Sequence, residues 1–177
     1  MHRLFVAIKP PASLRQRLLA VMGGVTNARW QTDDQLHLTV RFIGEVDRRQ
    51  AEDVASALSS IRFPSFEIEL TRIGSFEKRG RASIIWIGLS ANEPLTILHL
   101  KVDQACVRAG LPPDHRAFHP HITLARLPAN AGPLDAAFDA TPLLAGTRFD
   151  AREFALFESR LSPAGPSYTT IETYPLD

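Results

Sequence analysis

Leu36-His37-Leu38-Thr39-Val40-Arg41-Phe42 alternates with a period of two. His37, Thr39 and Arg41 fall on one side, and Leu36, Leu38, Val40 and Phe42 on the other. This is the pattern of a strand with one face in the core. An imidazole and a hydroxyl then stand two residues, about 7 Å, apart on the open face. Pro120-His121-Ile122-Thr123-Leu124-Ala125-Arg126 repeats the arrangement, with His121 and Thr123 on one face and Ile122 and Leu124 on the other. The histidines are 121 − 37 = 84 residues apart, close to half of a 177-residue chain. The two stretches read as one site built from two related halves.

Before the first motif, residues 3–9 form a buried strand that Pro10 and Pro11 stop. A helix follows, with Leu14, Leu18, Val21 and Met22 at helical spacing, and Gly23-Gly24 ends it. Residues 28–31 form a short extended piece leading into the first motif strand, 35–43, which Gly44 breaks. Asp47 caps a helix to about Ile61. A strand over 66–73, a polar basic loop over 77–81 and a strand over 83–89 come next. Asn92 or Ser90 caps a long helix over 93–109, with Leu95, Leu98, Val102 and Cys106 inward and His99 at its surface. After the second motif come a loop with a helical turn at 134–138, a kinked strand over 149–161 and a last strand over 168–174. Trp30 and Trp86 read as core residues, and Arg79 and Arg81 as parts of a solvated turn.

Strands and helices alternate only partly, and short turns join several strands. The expected class is α+β: two facing, mainly antiparallel sheets with helices on the outer faces and a central cleft. One sheet carries His37 and the other His121. No linker-like or low-complexity stretch interrupts the chain, so residues 1–177 are expected to form a single bilobal domain.

Twenty Lys and Arg against 19 Asp and Glu leave a formal charge of +1. That gives no bulk field for holding long nucleic acid nonspecifically. Cys106 is the only cysteine, which excludes an intramolecular disulfide and a cysteine zinc cluster. No apolar run approaches the roughly 18 residues of a membrane span, and the first strand begins without a signal-peptide pattern. A cytoplasmic monomer with no membrane or protein partner is the expectation.

Two imidazoles on facing strands suit general acid–base chemistry, because an unperturbed imidazole titrates near pH 6.5. On opposite sides of a phosphorus centre, a neutral histidine can take a proton from water while a charged one protonates the departing oxygen. Thr39 and Thr123 can each donate to a phosphoryl oxygen, and Arg41 or Arg126 would add a fixed positive charge. Two histidines with no Asp, Glu or Cys inside either motif are too few donors for a zinc site, so no metal and no cofactor are expected.

His37-Leu38-Thr39-Val40 and His121-Ile122-Thr123-Leu124 resemble the His-x-Thr-x pair of the two-histidine (2H) phosphoesterases. The flanks resemble one branch, the bacterial and archaeal RNA 2′,3′-cyclic phosphodiesterases, once called 2′-5′ RNA ligases. Those flanks include residues 3–8, 36–45, 83–89, 120–126 and 158–168, nearly the whole chain in order. The resemblance implies the two-lobed 2H fold. It also implies hydrolysis of a 2′,3′-cyclic phosphate at an RNA end to a 2′-phosphomonoester. Carried over, His37 is the proton donor to the leaving 3′ oxygen and His121 the proton acceptor from water. Thr39, Thr123 and Arg126 bind the phosphate, and Phe42 is a nucleobase contact. Strict alternation puts Arg126 and Phe42 on the wrong face, so Arg126 needs a bulge or strand end at Ala125. The rival readings are a phosphodiesterase acting on another cyclic or 2′-5′-linked nucleotide, and a nucleotide- or RNA-binding module without turnover.

Overall fold

A computed structural model describes residues 1–177. The strands are β1 (His2–Ile8), β2 (Arg29–Trp30), β3 (Leu38–Val46), β4 (Phe66–Lys78), β5 (Arg81–Leu89), β6 (His121–Arg126), β7 (Arg148–Ala151), β8 (Glu153–Ser162) and β9 (Gly165–Pro175). The helices are α1 (Ala12–Val21), α2 (Arg48–Ser59), α3 (Glu93–Arg108), α4 (Asp135–Phe138) and α5 (Thr141–Leu144). A 3₁₀ turn, Asp33–Gln35, precedes β3.

The strands follow one antiparallel path, β7-β4-β5-β6-β3-β1-β8-β9, with β2 added beside β6. A single residue pair, Leu38 with Ile122, joins β3 to β6 at the middle of that path. The two expected sheets are therefore present as two arms. One is β3-β1-β8-β9 and the other β6-β5-β4-β7, and they are hinged at one pair. The core lies on the face of Leu4, Val6, Leu38 and Val40 in the first arm and of Ile85, Ile87, Ile122 and Leu124 in the second. Burying each such side chain stabilises the fold by roughly 1.5–3 kcal/mol. Helices α2 and α3 pack on each other and on β1, β3 and β9, whereas α4 and α5 cover β4. The Asp47 carboxylate accepts from Gln50 N–H at 2.8 Å, and the Asn92 side-chain oxygen from Leu95 N–H at 3.0 Å. These are the caps expected for α2 and α3.

Several boundaries differ from expectation. Residues 33–35 turn rather than extend, so β3 begins at Leu38 and His37 sits at its mouth. Gly44 does not end the strand. It takes φ +91° where the register with β1 slips, and β3 runs on to Val46. The basic loop shrinks to a tight turn with Arg79 at φ +54° and Gly80 at φ +75°, because β4 and β5 pair as far as Lys78 and Arg81. His99 is buried, not superficial. Its ring stacks on Phe118 at 4.0 Å, and its Nδ1–H donates to the Val40 carbonyl at 2.7 Å. No helix is long and apolar enough to cross a membrane.

Candidate active site

The pair Leu38–Ile122 brings the two motifs together. In an antiparallel register, opposed residue numbers have a constant sum, here 38 + 122 = 160. Continued by one residue each way, that register sets His37 against Thr123 and Thr39 against His121. All four lie on the face opposite the buried Leu38 and Ile122. Directly opposed Cβ atoms in such pairs lie about 4.5–5.5 Å apart. One residue pair thus brings the two motifs to the same place, with their imidazoles and hydroxyls on one face of the junction.

Bulges complete the site. Ala7 opposes Thr39 and Val6 opposes Arg41, which leaves Val40 as an extra residue in β3. Trp86 opposes Thr123 and Ile85 opposes Ala125, which leaves Leu124 extra in β6. Each bulge resets the alternation. Phe42 is thereby turned to the side of Thr39, where it packs, as Tyr168 does, against the cluster of Phe5, Ala7, Ala155 and Phe157. Arg126 is turned to the side of His121 and Thr123 and is exposed, after the buried Leu124 and Ala125. The same reset withdraws Arg41. Its side chain is 4% exposed, pairs with Asp103 at 2.6 Å and donates to the Pro112 carbonyl at 2.7 Å. Of the two arginines that the motifs offered, Arg126 is the one available to a ligand.

Both imidazoles are clamped in the same way. Nδ1–H of His37 donates to the Gln35 carbonyl at 2.7 Å, and Nδ1–H of His121 to the His119 carbonyl at 2.6 Å. A carbonyl can only accept, so each neutral ring carries its proton on Nδ1 and leaves Nε2 as the basic atom. Nε2 of His37 accepts from the Thr39 hydroxyl at 3.0 Å. A phenylalanine flanks each ring at 4.9 Å between centroids, Phe5 for His37 and Phe76 for His121. The turn before His37 is itself tied down. Gln35 accepts from Thr32 N–H at 3.1 Å and donates to the Pro166 carbonyl at 2.7 Å.

Burial disfavours the charged ring and brings the pKa of His37 down to about 4. The Gln35 carbonyl opposes this, while the charges of His121, Arg126 and Lys9 add to it. The pKa of His121 is lowered too, first by burial, with His119 and Arg126 adding to the effect and the His119 carbonyl opposing it.

Thr39, Phe42 and His121 share the wall of a cavity of about 290 Å³ between the arms. Phe76, Arg116 and His119 also line it. Phe5, Phe76, Tyr168 and Gln35 also belong to the surroundings of the two imidazoles, without having been expected there from the sequence. The Tyr168 ring stands edge-on to His37 at 5.2 Å. Tyr168 is separated from His37 by most of the chain, so no local pattern joins them. Phe5 was signalled by period two within residues 3–9, since it lies on the face opposite Leu4 and Val6. No three His, Cys, Asp or Glu side chains converge as a metal-ligand group.

The family model for LigT like Phosphoesterase matches the chain twice, over residues 8–86 and 87–168. This chain belongs to that family. Each matched half contains one motif, His37 and Thr39 in the first and His121 and Thr123 in the second. The RNA 2′,3′-cyclic phosphodiesterase of Archaeoglobus fulgidus is 27% identical over 97% of this chain and 99% of its own. That of Escherichia coli is 28% identical over 99% and 97%. The Aeropyrum pernix protein of the same name is 38% identical, but the alignment spans only 54% of each chain. Among solved structures, E. coli LigT complexed with 3′-AMP superposes with a TM-score of 0.78 at 25% identity, covering 99% of this chain and 98% of that one. A Thermus thermophilus protein reaches 0.79 at 28% identity over 98% and 97%. These likenesses span both lobes of this phosphoesterase and therefore the cleft between them.

Proposed function

We propose that this phosphoesterase hydrolyses 2′,3′-cyclic phosphate ends of RNA to 2′-phosphomonoesters by two-histidine acid–base catalysis. The observation that carries the reading is the matched clamp. Two imidazoles from equivalent positions of the two halves hold Nδ1–H on a backbone carbonyl and keep Nε2 for the cleft. The names of the relatives that align over nearly the whole chain support the substrate class.

Water attacks phosphorus while Nε2 of His121 accepts its proton. The bond from phosphorus to O3′ breaks, and protonated Nε2 of His37 delivers a proton to O3′. The 2′-phosphate remains on the ribose. Thr39, Thr123 and Arg126 donate to the non-bridging oxygens, where negative charge grows in the transition state. Phe42, with the Arg3 and Arg116 guanidiniums over its ring at 5.0 and 5.9 Å, borders the terminal base. All these groups come from one chain, so the site needs no second copy, and we place the enzyme in the cytoplasm as a single bilobal unit. The buried, unpaired thiol of Cys106 suits a reducing compartment.

The purified protein should be offered nucleoside 2′,3′-cyclic phosphates, RNA ending in a cyclic phosphate and 2′-5′ dinucleotides, with the 2′ and 3′ phosphate products resolved. Conversion of cyclic ends to the 2′ isomer is expected. Production of the 3′ isomer, or turnover of 2′-5′ dinucleotides alone, would overturn the reading.

A further inference from the structure

A second cavity, of about 770 Å³, opens on the other side of His121 between β4, β5 and the start of α3. It shares Phe76, His119 and His121 with the catalytic cleft. Its volume is in the range of small-molecule sites and far exceeds the need of a phosphate group. Trp86 forms part of its wall rather than joining the core as the sequence suggested, whereas Trp30 does pack on the core.

The indole is laid in place by glycines. Gly74 is its cross-strand partner, and a Cβ there would run into the ring. A Cβ at Gly88 would sit 3.0 Å from it. Glycines inside strands weaken them and commonly mark a close approach. Here they admit a ring that no smaller cleft requires. The Arg72 guanidinium lies over that ring, 5.4 Å from its centroid, and makes no ion pair or hydrogen bond to the protein. Trp86 Nε1–H is also buried without an acceptor. The lining carries one guanidinium, Arg72, against one carboxylate, Glu93, with Ser90, Asn92 and Thr96 beside them. Such a wall is no anion trap. Planar faces with scattered donors and acceptors suit a base and a ribose, the way single-stranded RNA is held.

Resting on the proposed function, we infer that this groove binds the nucleotide immediately 5′ of the terminal cyclic one. The enzyme then reads an RNA strand rather than a mononucleotide. Phe42 faces the terminal nucleoside in the catalytic cleft, and the chain crosses His119 to stack on the Arg72–Trp86 pair.

Two measurements test this. In the first, kcat/KM is compared for a nucleoside 2′,3′-cyclic phosphate and for a trinucleotide ending in the same cyclic nucleotide. Wild type should favour the trinucleotide. Arg72→Ala and Thr96→Glu, both at exposed positions, should each lower kcat/KM for the trinucleotide about tenfold through KM, the scale of losing one stacked base. Turnover of the mononucleotide should stay within about twofold. Equal losses on both substrates, or no loss on either, overturn the assignment. The second measurement is binding of a labelled trinucleotide 2′-phosphate to wild type and Arg72→Ala, which needs no turnover. Weaker binding by the variant supports the groove even if the wild type hydrolyses nothing, in which case the proposed activity alone fails. Equal binding overturns the groove even if hydrolysis is normal.

Discussion

Phe42 and Arg126 stand 126 − 42 = 84 residues apart, the same separation as His37 from His121 and Thr39 from Thr123, and a bulge turns each into the cleft. Equivalent places in the two halves thus hold different chemistry, a ring in one and a guanidinium in the other. Their substitutions should divide accordingly. Arg126→Gln removes charge from the phosphate side, and kcat should fall by roughly 10²-fold, the usual effect of losing a transition-state donor. Phe42→Ala removes the ring that carries the Arg3 and Arg116 guanidiniums beside the terminal base, and KM should rise about tenfold with kcat nearly kept. Steady-state kinetics on a cyclic-ended RNA check both. A loss of kcat for Phe42→Ala with KM unchanged would contradict the assignment.

These two residues also mark where the sequence stopped being informative. Period two located Thr39, His121 and Thr123 on their strands and the core residues Leu38 and Ile122 opposite them, while His37 lies just outside β3, at its mouth. The same rule sends Phe42 and Arg126 to the wrong face and Arg41 to the right one. A bulge depends on what the neighbouring strand and helix offer to the displaced backbone, and no local pattern records it. The Val40 bulge is held from α3, by His99 and by Asp103 acting through Arg41. His99, read from the sequence as superficial, is one of those distant supports. The division into two arms was legible because turns and caps are local. Its hinge at one residue pair was not.

The support from α3 should be measurable. His99→Leu leaves the buried Val40 carbonyl without its donor and removes the ring stacked on Phe118. An unsatisfied buried acceptor costs about 1–3 kcal/mol, to be read from the urea midpoint at constant m-value. Because the bulge orients Phe42, KM should rise as well. Unchanged stability would mean that the carbonyl has another partner.

Gly74 gives a second stability test with the opposite geometry. A methyl group at this position meets the Trp86 ring, and overpacking of this kind typically costs about 1–3 kcal/mol. Gly74→Ala should lower the urea midpoint and change Trp fluorescence as the indole is displaced. A variant as stable as wild type with an unaltered spectrum would show that the strands open without cost.

The pH dependence follows from the lowered histidine pKa values. The free enzyme near neutrality holds both rings uncharged, yet hydrolysis needs one of them protonated. The profile of kcat/KM, which reports the free enzyme, should therefore peak below pH 6.5 and decline already through neutrality. A bound anionic phosphate favours the charged rings, so the kcat profile should lie at higher pH. Arg126 depresses both histidines, so Arg126→Gln should shift the kcat/KM profile upward even as the rate falls. Folding carries the same sign. Between about pH 6.5 and about 4 the unfolded chain binds the His37 proton and the folded one does not. Stability should fall as the pH drops through that window. A kcat/KM optimum above neutrality would contradict the burial of the site.

The division of labour between the histidines needs a substrate that separates the two proton transfers. In wild type the limbs of the pH profile belong to the interacting pair and not to single rings. His37→Ala and His121→Ala should each lose about 10²–10⁴-fold on a cyclic-ended RNA, the usual contribution of a positioned acid or base. Thr39→Ala and Thr123→Ala should lose less, since each removes one hydrogen bond and no proton transfer. A cyclic phosphodiester whose leaving oxygen departs without protonation changes the pattern. His37→Ala should then recover much of its rate and lose its alkaline limb, because the missing acid is no longer needed. His121→Ala should stay slow, because water still lacks a base. Rescue of His121→Ala alone would exchange the two roles. Rescue of neither would make His37 a stabiliser of phosphate charge rather than a proton donor.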